Sequence, residues 1–340
     1  MPDPGTLATA LVLALVPSLL YLLVLNWVDR YEKEPWTILF ACLALGGIAA
    51  PVVAIAVLAP WRGIGLDPQF APGPGGGADP LAALVQELAK GGALLLLVRT
   101  VRDELDDVLD GIIYGAAIGA GFGAAETFAY AAGGTHGLST ETLAALLVAG
   151  LDHAFYTAAF GAVLGAAVHL ADRRWTAVYA VYGLATAVLL HALHDGIPVI
   201  LGRLLGRPDA ALGIGTRLVA QAVNWVGIVV LAFVVVWAWR RAARVLRSEL
   251  RDEVAGGVVS EADYASITSW RARIARQLAA LREGGLARAM AVRRLYATEG
   301  ELAFEKWRGV VRRQRRRSRD RSDELRAEVL RLRRSTEGSE

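Results

Sequence analysis

The chain has 340 residues, is 55% hydrophobic and carries a formal net charge of +3, with a mean hydropathy of +0.41. So apolar an average is foreign to a soluble globular protein and points to a polytopic membrane protein. A single cysteine, Cys42, excludes a disulfide framework and a cysteine-based zinc site.

The apolar residues form long runs up to about Trp239, after which the chain turns polar and basic. From Arg240 to Glu340 there are 25 Lys and Arg against 15 Asp and Glu, a net of +10; the remainder carries 11 basic and 18 acidic residues, a net of −7. The expected organisation is a transmembrane region over 1–239 and a basic tail over 240–340. The expected fold class is all-α: a polytopic membrane bundle of about seven transmembrane helices with a helical, partly disordered tail.

A spanning helix needs ~20 mostly apolar residues. The N-terminus, MPDPG, has no basic n-region, which argues against a cleaved signal peptide and for a retained anchor at the first span, Leu7–Val28. The second span is Trp36–Ala59, and the segment Ala71–Pro80, APGPGGGADP, reads as a flexible external loop. The third span, Leu81–Val98, contains VQELAKGG. Glu87 and Lys90 are one turn apart and share a helix face, which by itself describes a self-neutralising pair.

The fourth span, Val108–Ala132, carries glycines at 111, 115, 119 and 123, a smooth ridge for close helix approach. Glu126 follows near the end of that ridge and is expected to point into the bundle. The string GAGFGA is no dinucleotide fingerprint, because no strand precedes it. The fifth span, Thr142–Leu170, places His153, Thr157, Gly161 and Gly165 on one stripe, with Asp152 beside it as a possible supporting acid. The sixth, Trp175–Leu201, contains LLHALHDGIPV, in which His191 and Asp195 share a face and His194 lies one turn from His191. His136, in an outer loop, and His169, near a span end, are read as incidental. The seventh span is Ala211–Trp239.

Ionisable side chains within hydrocarbon are costly and by default mark a functional site. Glu87, Glu126, His153 and His191 are all metal ligands or acid/base groups by type. At ~1.5 Å rise per residue, Glu87 and Glu126 lie about six residues from the outer ends of their spans, His191 about ten and His153 about eleven. All four therefore fall between midplane and outer boundary, although sequence alone does not bring them together laterally.

Lys and Arg placement sets the orientation. Arg30 and Lys33, Arg99 and Arg102, and Arg173 and Arg174 lie in odd-numbered connections, and Arg240, Arg241, Arg244 and Arg247 open the tail. Arg203, Arg207 and Arg217, at the sixth connection, run against the pattern. The best fit is a cell-membrane protein with its N-terminus outside and its tail in the cytoplasm. The tail, with its basic cluster Arg312–Arg321, reads as a solvated, partly helical segment that touches anionic lipid. No recognition fold or interleaved aromatics point to nucleic acid.

Taken together, DRYEKEPW (Asp29–Trp36), VQELAK, DGIIYGAAIGAGFGAAETFAY (Asp110–Tyr130), HAFYTAAFGAVLG and HALHD resemble the PrsW family of intramembrane proteases, part of a wider group that includes the CAAX prenyl endopeptidases and the Abi proteins. The resemblance covers roughly residues 20–200. The family order EExxK, FxxxE, His, HxxxD falls here on Gln86–Lys90, Phe122–Glu126, His153 and His191–Asp195. Gln86 stands where the family has a first glutamate, and Thr127 where an asparagine usually follows.

The resemblance implies hydrolysis of a peptide bond in a membrane-bound protein or peptide. It implies Glu87, Glu126, His153, His191 and Asp195 as catalytic groups. It implies further that zinc is held by His153, His191 and one of Glu126 or Asp195, with Glu87 as general base. A metal-free version has a glutamate and a histidine activate water while the HxxxD pair holds the oxyanion. Because glutamine is no general base, a catalytically degenerate sensor or scaffold of the same fold is the competing reading. A proton relay or transporter is a third, disfavoured by the lack of an inverted repeat.

Overall fold

The computed structural model describes residues 2–62, 80–101, 105, 107–133, 140–167, 173–206, 214–311 and 315–337. Residues 71–79 of the expected external loop, Arg102, His136 and His169 lie outside these, as do the side chains of residues 311–318 in the basic cluster. The described elements are all helices: α1 (Pro4–Val28), α2 (Trp36–Ala44), a π-helical turn (Leu45–Ala49), α3 (Ala50–Arg62), α4 (Pro80–Thr100), α5 (Val108–Ala132), α6 (Thr140–Ala167), α7 (Arg173–Leu204), α8 (Ile214–Glu249), α9 (Arg251–Ala255), α10 (Glu261–Ile267), α11 (Trp270–Val311) and α12 (Arg315–Glu337). Six stretches among the described residues are long and apolar enough to cross a membrane, Trp36–Pro60 being one continuous span of α2, the π turn and α3. The fifth expected span is the 28-residue α6. The chain divides into two compact units, 1–28 with 34–233 and 29–33 with 234–340.

In the first unit α5 is the central helix. Of its most apolar stretch 89% is buried, against 22% for α1 and 11% for α8, whose apolar side chains are left to face lipid. Its start is fixed by a capping box. The Asp107 carboxylate accepts from Leu109 N at 2.6 Å and Asp110 N at 3.2 Å, and Asp110 Oδ2 accepts from Asp107 N at 2.8 Å. One turn later the Tyr114 hydroxyl donates to buried Glu34, tying α5 to the chain entering α2.

The glycine ridge of α5 lies directly against the His153 stripe of α6. A Cβ at Gly111 would stand 2.0 Å from Gly161 O, one at Gly115 2.3 Å from Thr157 O, and one at Gly119 2.1 Å from His153 O. On another side of α5, a Cβ at Gly121 would meet Leu43 O at 2.2 Å, and one at Gly46 in the π turn would meet Ile118 O at 1.8 Å. Helices in hydrocarbon gain little from apolar burial against one another, so this close backbone packing is what associates them.

The second unit departs from the expected solvated tail by having a core of its own. Leu246, Leu250, Val259, Ile267, Leu295, Tyr296, Leu302 and Val329 are buried together, with Tyr31 from the first connection among them. Arg30 stacks between Trp239 and Trp270, 3.4 and 4.3 Å from the ring centroids. Arg273 donates to Arg30 O at 3.2 Å, and Arg308 pairs with Glu32 at 3.1 Å. The arginines that make this segment read as solvated also hold it together: buried Glu253 accepts from Lys306 at 2.8 Å and from Arg326 at 2.7 and 2.9 Å. α11 is broken at Gly284–Gly285, where Gly285 has φ 68° and only glycine adopts that backbone at little cost.

Glu299 has both its carboxylate oxygens buried without a hydrogen-bond partner. Burial first, and then Asp263, push its pKa well above the ordinary glutamate value of 4.5, against the opposing pull of Arg273 and Arg333.

Two outcomes test this packing. Gly119→Val drives a side chain into the His153 carbonyl and should destabilise the detergent-solubilised chain by the ~1–3 kcal/mol or more of an overpacked core, read as a lower thermal midpoint. Gly92→Ala, whose Cβ meets nothing within 4 Å, should leave the midpoint unchanged or slightly raised. For Glu299, a folded-state pKa above the unfolded one means that the native state binds the extra proton. Its contribution is complete below about 4.5 and is lost as pH rises towards the raised value. Glu299→Gln should therefore flatten the fall of the melting temperature with rising pH across that window. An unchanged slope refutes the assignment.

Candidate active site

Four helices of the first unit deliver ionisable side chains to one buried place. α4 carries Gln86, Glu87 and Lys90, α5 carries Phe122 and Glu126, α6 carries His153 and Tyr156, and α7 carries His191 and Asp195. Gln86, Glu87, Lys90, Glu126, His153 and His191 are all buried, Lys90 completely.

The side chains form one chain of alternating partners. Lys90 Nζ donates to Glu87 Oε1 at 2.5 Å and lies 3.1 Å from His153 Nδ1. His153 Nε2 is 2.6 Å from Glu126 Oε2, and His191 Nδ1 is 2.7 Å from Glu87 Oε1. Asp195 Oδ2 stands 3.4 Å from His191 Nε2, at the edge of the group. The donors settle the tautomers. An ammonium can only donate, so His153 Nδ1 is the acceptor and Nε2 carries the proton given to Glu126. A carboxylate oxygen can only accept, so His191 donates through Nδ1, and in its neutral form it keeps a lone pair at Nε2.

The ring faces are fixed as well. Tyr156 stacks on His191 at 5.0 Å and 17°, the two histidine rings meet edge to face at 5.2 Å, and Phe122 packs against His153 at 5.1 Å. Lys90 lies 4.8 Å above the Phe122 ring.

Glu87, His153 and His191 each offer a ligand atom, and these atoms lie within 4.8 Å of one another. Two histidines and a carboxylate are a donor set suited to zinc. The place is also built for positive charge, since the Lys90 ammonium already bridges Glu87 Oε1 and His153 Nδ1. Glu126 reaches the group through His153, and Asp195 through His191.

Asp152 does not support either histidine. Its Oδ1 accepts from Gln221 Nε2 at 3.1 Å and Asn224 Nδ2 at 2.9 Å, both on α8, and its Oδ2 lies 3.8 Å from His194 Nε2. Sequence reading passed over Tyr156 and Asn224 and took Lys90 for a local partner of Glu87. Asn224 did carry a signal, being a polar residue within the seventh apolar span, where hydrocarbon makes it costly. Tyr156 carried none, because an aromatic in a spanning helix is ordinary packing.

The model of the PrsW family, described as intramembrane metalloproteases, matches residues 34–239, more than half of the chain and all of the side chains above. No curated protein and no solved structure gives a significant match. On the strength of that match the chain belongs to the PrsW family of intramembrane metalloproteases.

Proposed function

We propose that this chain is an intramembrane endopeptidase that hydrolyses a peptide bond of a membrane-associated protein or peptide. The observation that supports this is the convergence of Glu87, His153 and His191 inside a membrane bundle of the PrsW family. Glu87, His153 and His191 hold a zinc ion, and Glu126 serves as general base. The distances favour this exchange of the two glutamates' roles over the set implied by motif order, since Glu87 and not Glu126 completes the three-atom group. When bound, zinc supplies Lewis acidity and lowers the pKa of a water. Glu126, holding His153 Nε2–H on one oxygen, presents its carboxylate as proton acceptor for the attacking water. Lys90, giving up His153 Nδ1 to the metal and staying beside Glu87, offsets negative charge as it develops on the substrate carbonyl. Asp195 stands 3.4 Å from His191 Nε2, where its carboxylate accepts a proton only when the imidazole is doubly protonated.

Gln86 favours a second reading. It is buried beside Glu87 and has no general-base chemistry, and on that reading the chain is a family fold with weakened or lost hydrolysis.

Metal analysis of the detergent-purified chain tests the first reading. About one zinc per chain is expected, as for a single His₂Glu centre, with loss in His153→Ala and in His191→Ala. A folded wild type without metal overturns it. Cleavage of a transmembrane-peptide library in proteoliposomes separates the second reading. A wild type that cleaves and loses activity on Glu126→Gln supports the active enzyme, whereas cleavage that appears only in Gln86→Glu supports the degenerate one.

A further inference from the structure

His191 is bounded on three sides. Glu87 takes Nδ1, Asp195 faces Nε2, and the Tyr156 ring covers one face at 5.0 Å. The first two are groups of the family motifs. The third depends on a residue outside them. Tyr156 is buried, and its hydroxyl accepts from Asn224 Nδ2 at 2.8 Å. The same Nδ2 lies 2.9 Å from Asp152 Oδ1 and 2.9 Å from His194 Nδ1. One amide nitrogen thus faces three acceptors on α6 and α7, although it has two hydrogens to give.

Asn224 Oδ1, by contrast, is buried without a hydrogen-bond partner. A buried asparagine retained for packing alone would leave this acceptor unpaired at a cost of ~1–3 kcal/mol with nothing to compensate it. Here the amide is turned so that its donor side serves the group around His191 and its acceptor side goes unserved. The approach of α8 is itself close at this level, where a Cβ at Gly227, one turn beyond Asn224, would meet the Phe155 ring at 2.3 Å. Steric contact at Gly227 sets the distance from which Asn224 reaches across.

We propose that Asn224 is a positioning residue of the active site. From α8, it anchors the Tyr156 hydroxyl and so holds the tyrosine ring flat against His191, fixing the plane in which His191 Nε2 points. This deepens the reading of His191 as a metal-site residue and rests on it for its catalytic meaning. The positioning itself is a property of the chain's own side chains. It predicts that α8, the helix least buried in the bundle, is nevertheless required for a correctly oriented site.

The test is the ring-nitrogen NMR spectrum of the ¹⁵N-histidine-labelled full chain in nanodiscs, treated with chelator. The chain has five histidines, few enough to assign by substitution. Asn224→Leu should shift or broaden both ring-nitrogen signals of His191, and the five histidines should not move alike. Tyr156→Phe, which keeps the ring and removes the anchored hydroxyl, should move the His191 signals in the same direction. The double variant should move them no further than Asn224→Leu alone, because both changes break one linkage. Unchanged His191 signals in a folded Asn224→Leu chain overturn the proposal. So does equal movement of all five histidines, which marks general loosening. If Asn224→Leu does not fold, Tyr156→Phe decides by the same criterion. Since the measurement is made without metal or substrate, failure of zinc binding or of cleavage refutes the proposed function and leaves this result standing on its own.

Discussion

How near α5 can come to its neighbours governs everything else in the membrane unit. Between Gly111 and Gly123 the ridge of α5 lets the backbone of α6 approach until carbonyl oxygens stand where a Cβ would be. Glu126, one turn beyond Gly123, meets His153 at 2.6 Å because Gly119 has already brought the His153 backbone into contact. Any side chain on that ridge separates the two helices and with them the carboxylate and the imidazole. The π turn does the same on another side of α5, where Gly46 and Gly121 remove the side chains that would hold the helices apart.

Close packing creates the second constraint. A carboxylate, an ammonium or an imidazole buried in such a bundle has no water to solvate it, so it must be satisfied by another side chain. The arrangement answers this by alternation: Glu126 with His153, His153 with Lys90, Lys90 with Glu87, Glu87 with His191. Each link dictates the proton position of the next, so the tautomers of both histidines follow from one lysine and two carboxylates. A cluster that neutralises itself and leaves lone pairs converging on a positive charge is ready to exchange partners when a stronger cation or a substrate arrives.

The tail unit obeys ordinary soluble-protein physics. Its helices bury leucine, valine and tyrosine around a common core, and its arginines spend their charge on Glu253 and Glu32 and on the faces of Trp239 and Trp270. The segment 29–33, separated from the tail by some 200 residues of sequence, belongs to this unit through Arg30 and Tyr31. Glu34, the next residue, belongs to the bundle through Tyr114.

Much of this was legible in the residues themselves. The spacing of four glycines predicted a close helix contact on one face of α5, and the cost of charge in hydrocarbon singled out Glu87, Glu126, His153 and His191 before any geometry was known. Motif order named the family. These are local properties, set by helical periodicity and by transfer out of water, and they need no knowledge of which helix lies beside which. Sequence could not decide that Lys90 faces His153 as well as Glu87, that Asp152 turns away towards α8, or that Asn224 reaches Tyr156. Those contacts join residues on different helices, and helix spacing within one segment says nothing of the rotation of the next. Nor could composition show that the basic tail has a core, because arginine-rich helices look solvated until the acids and indoles that pair with them are in place. What the chain determined alone was which groups cannot be left in lipid; which of them meet was decided only by packing, since α5 admits its neighbours in the one arrangement its glycines allow.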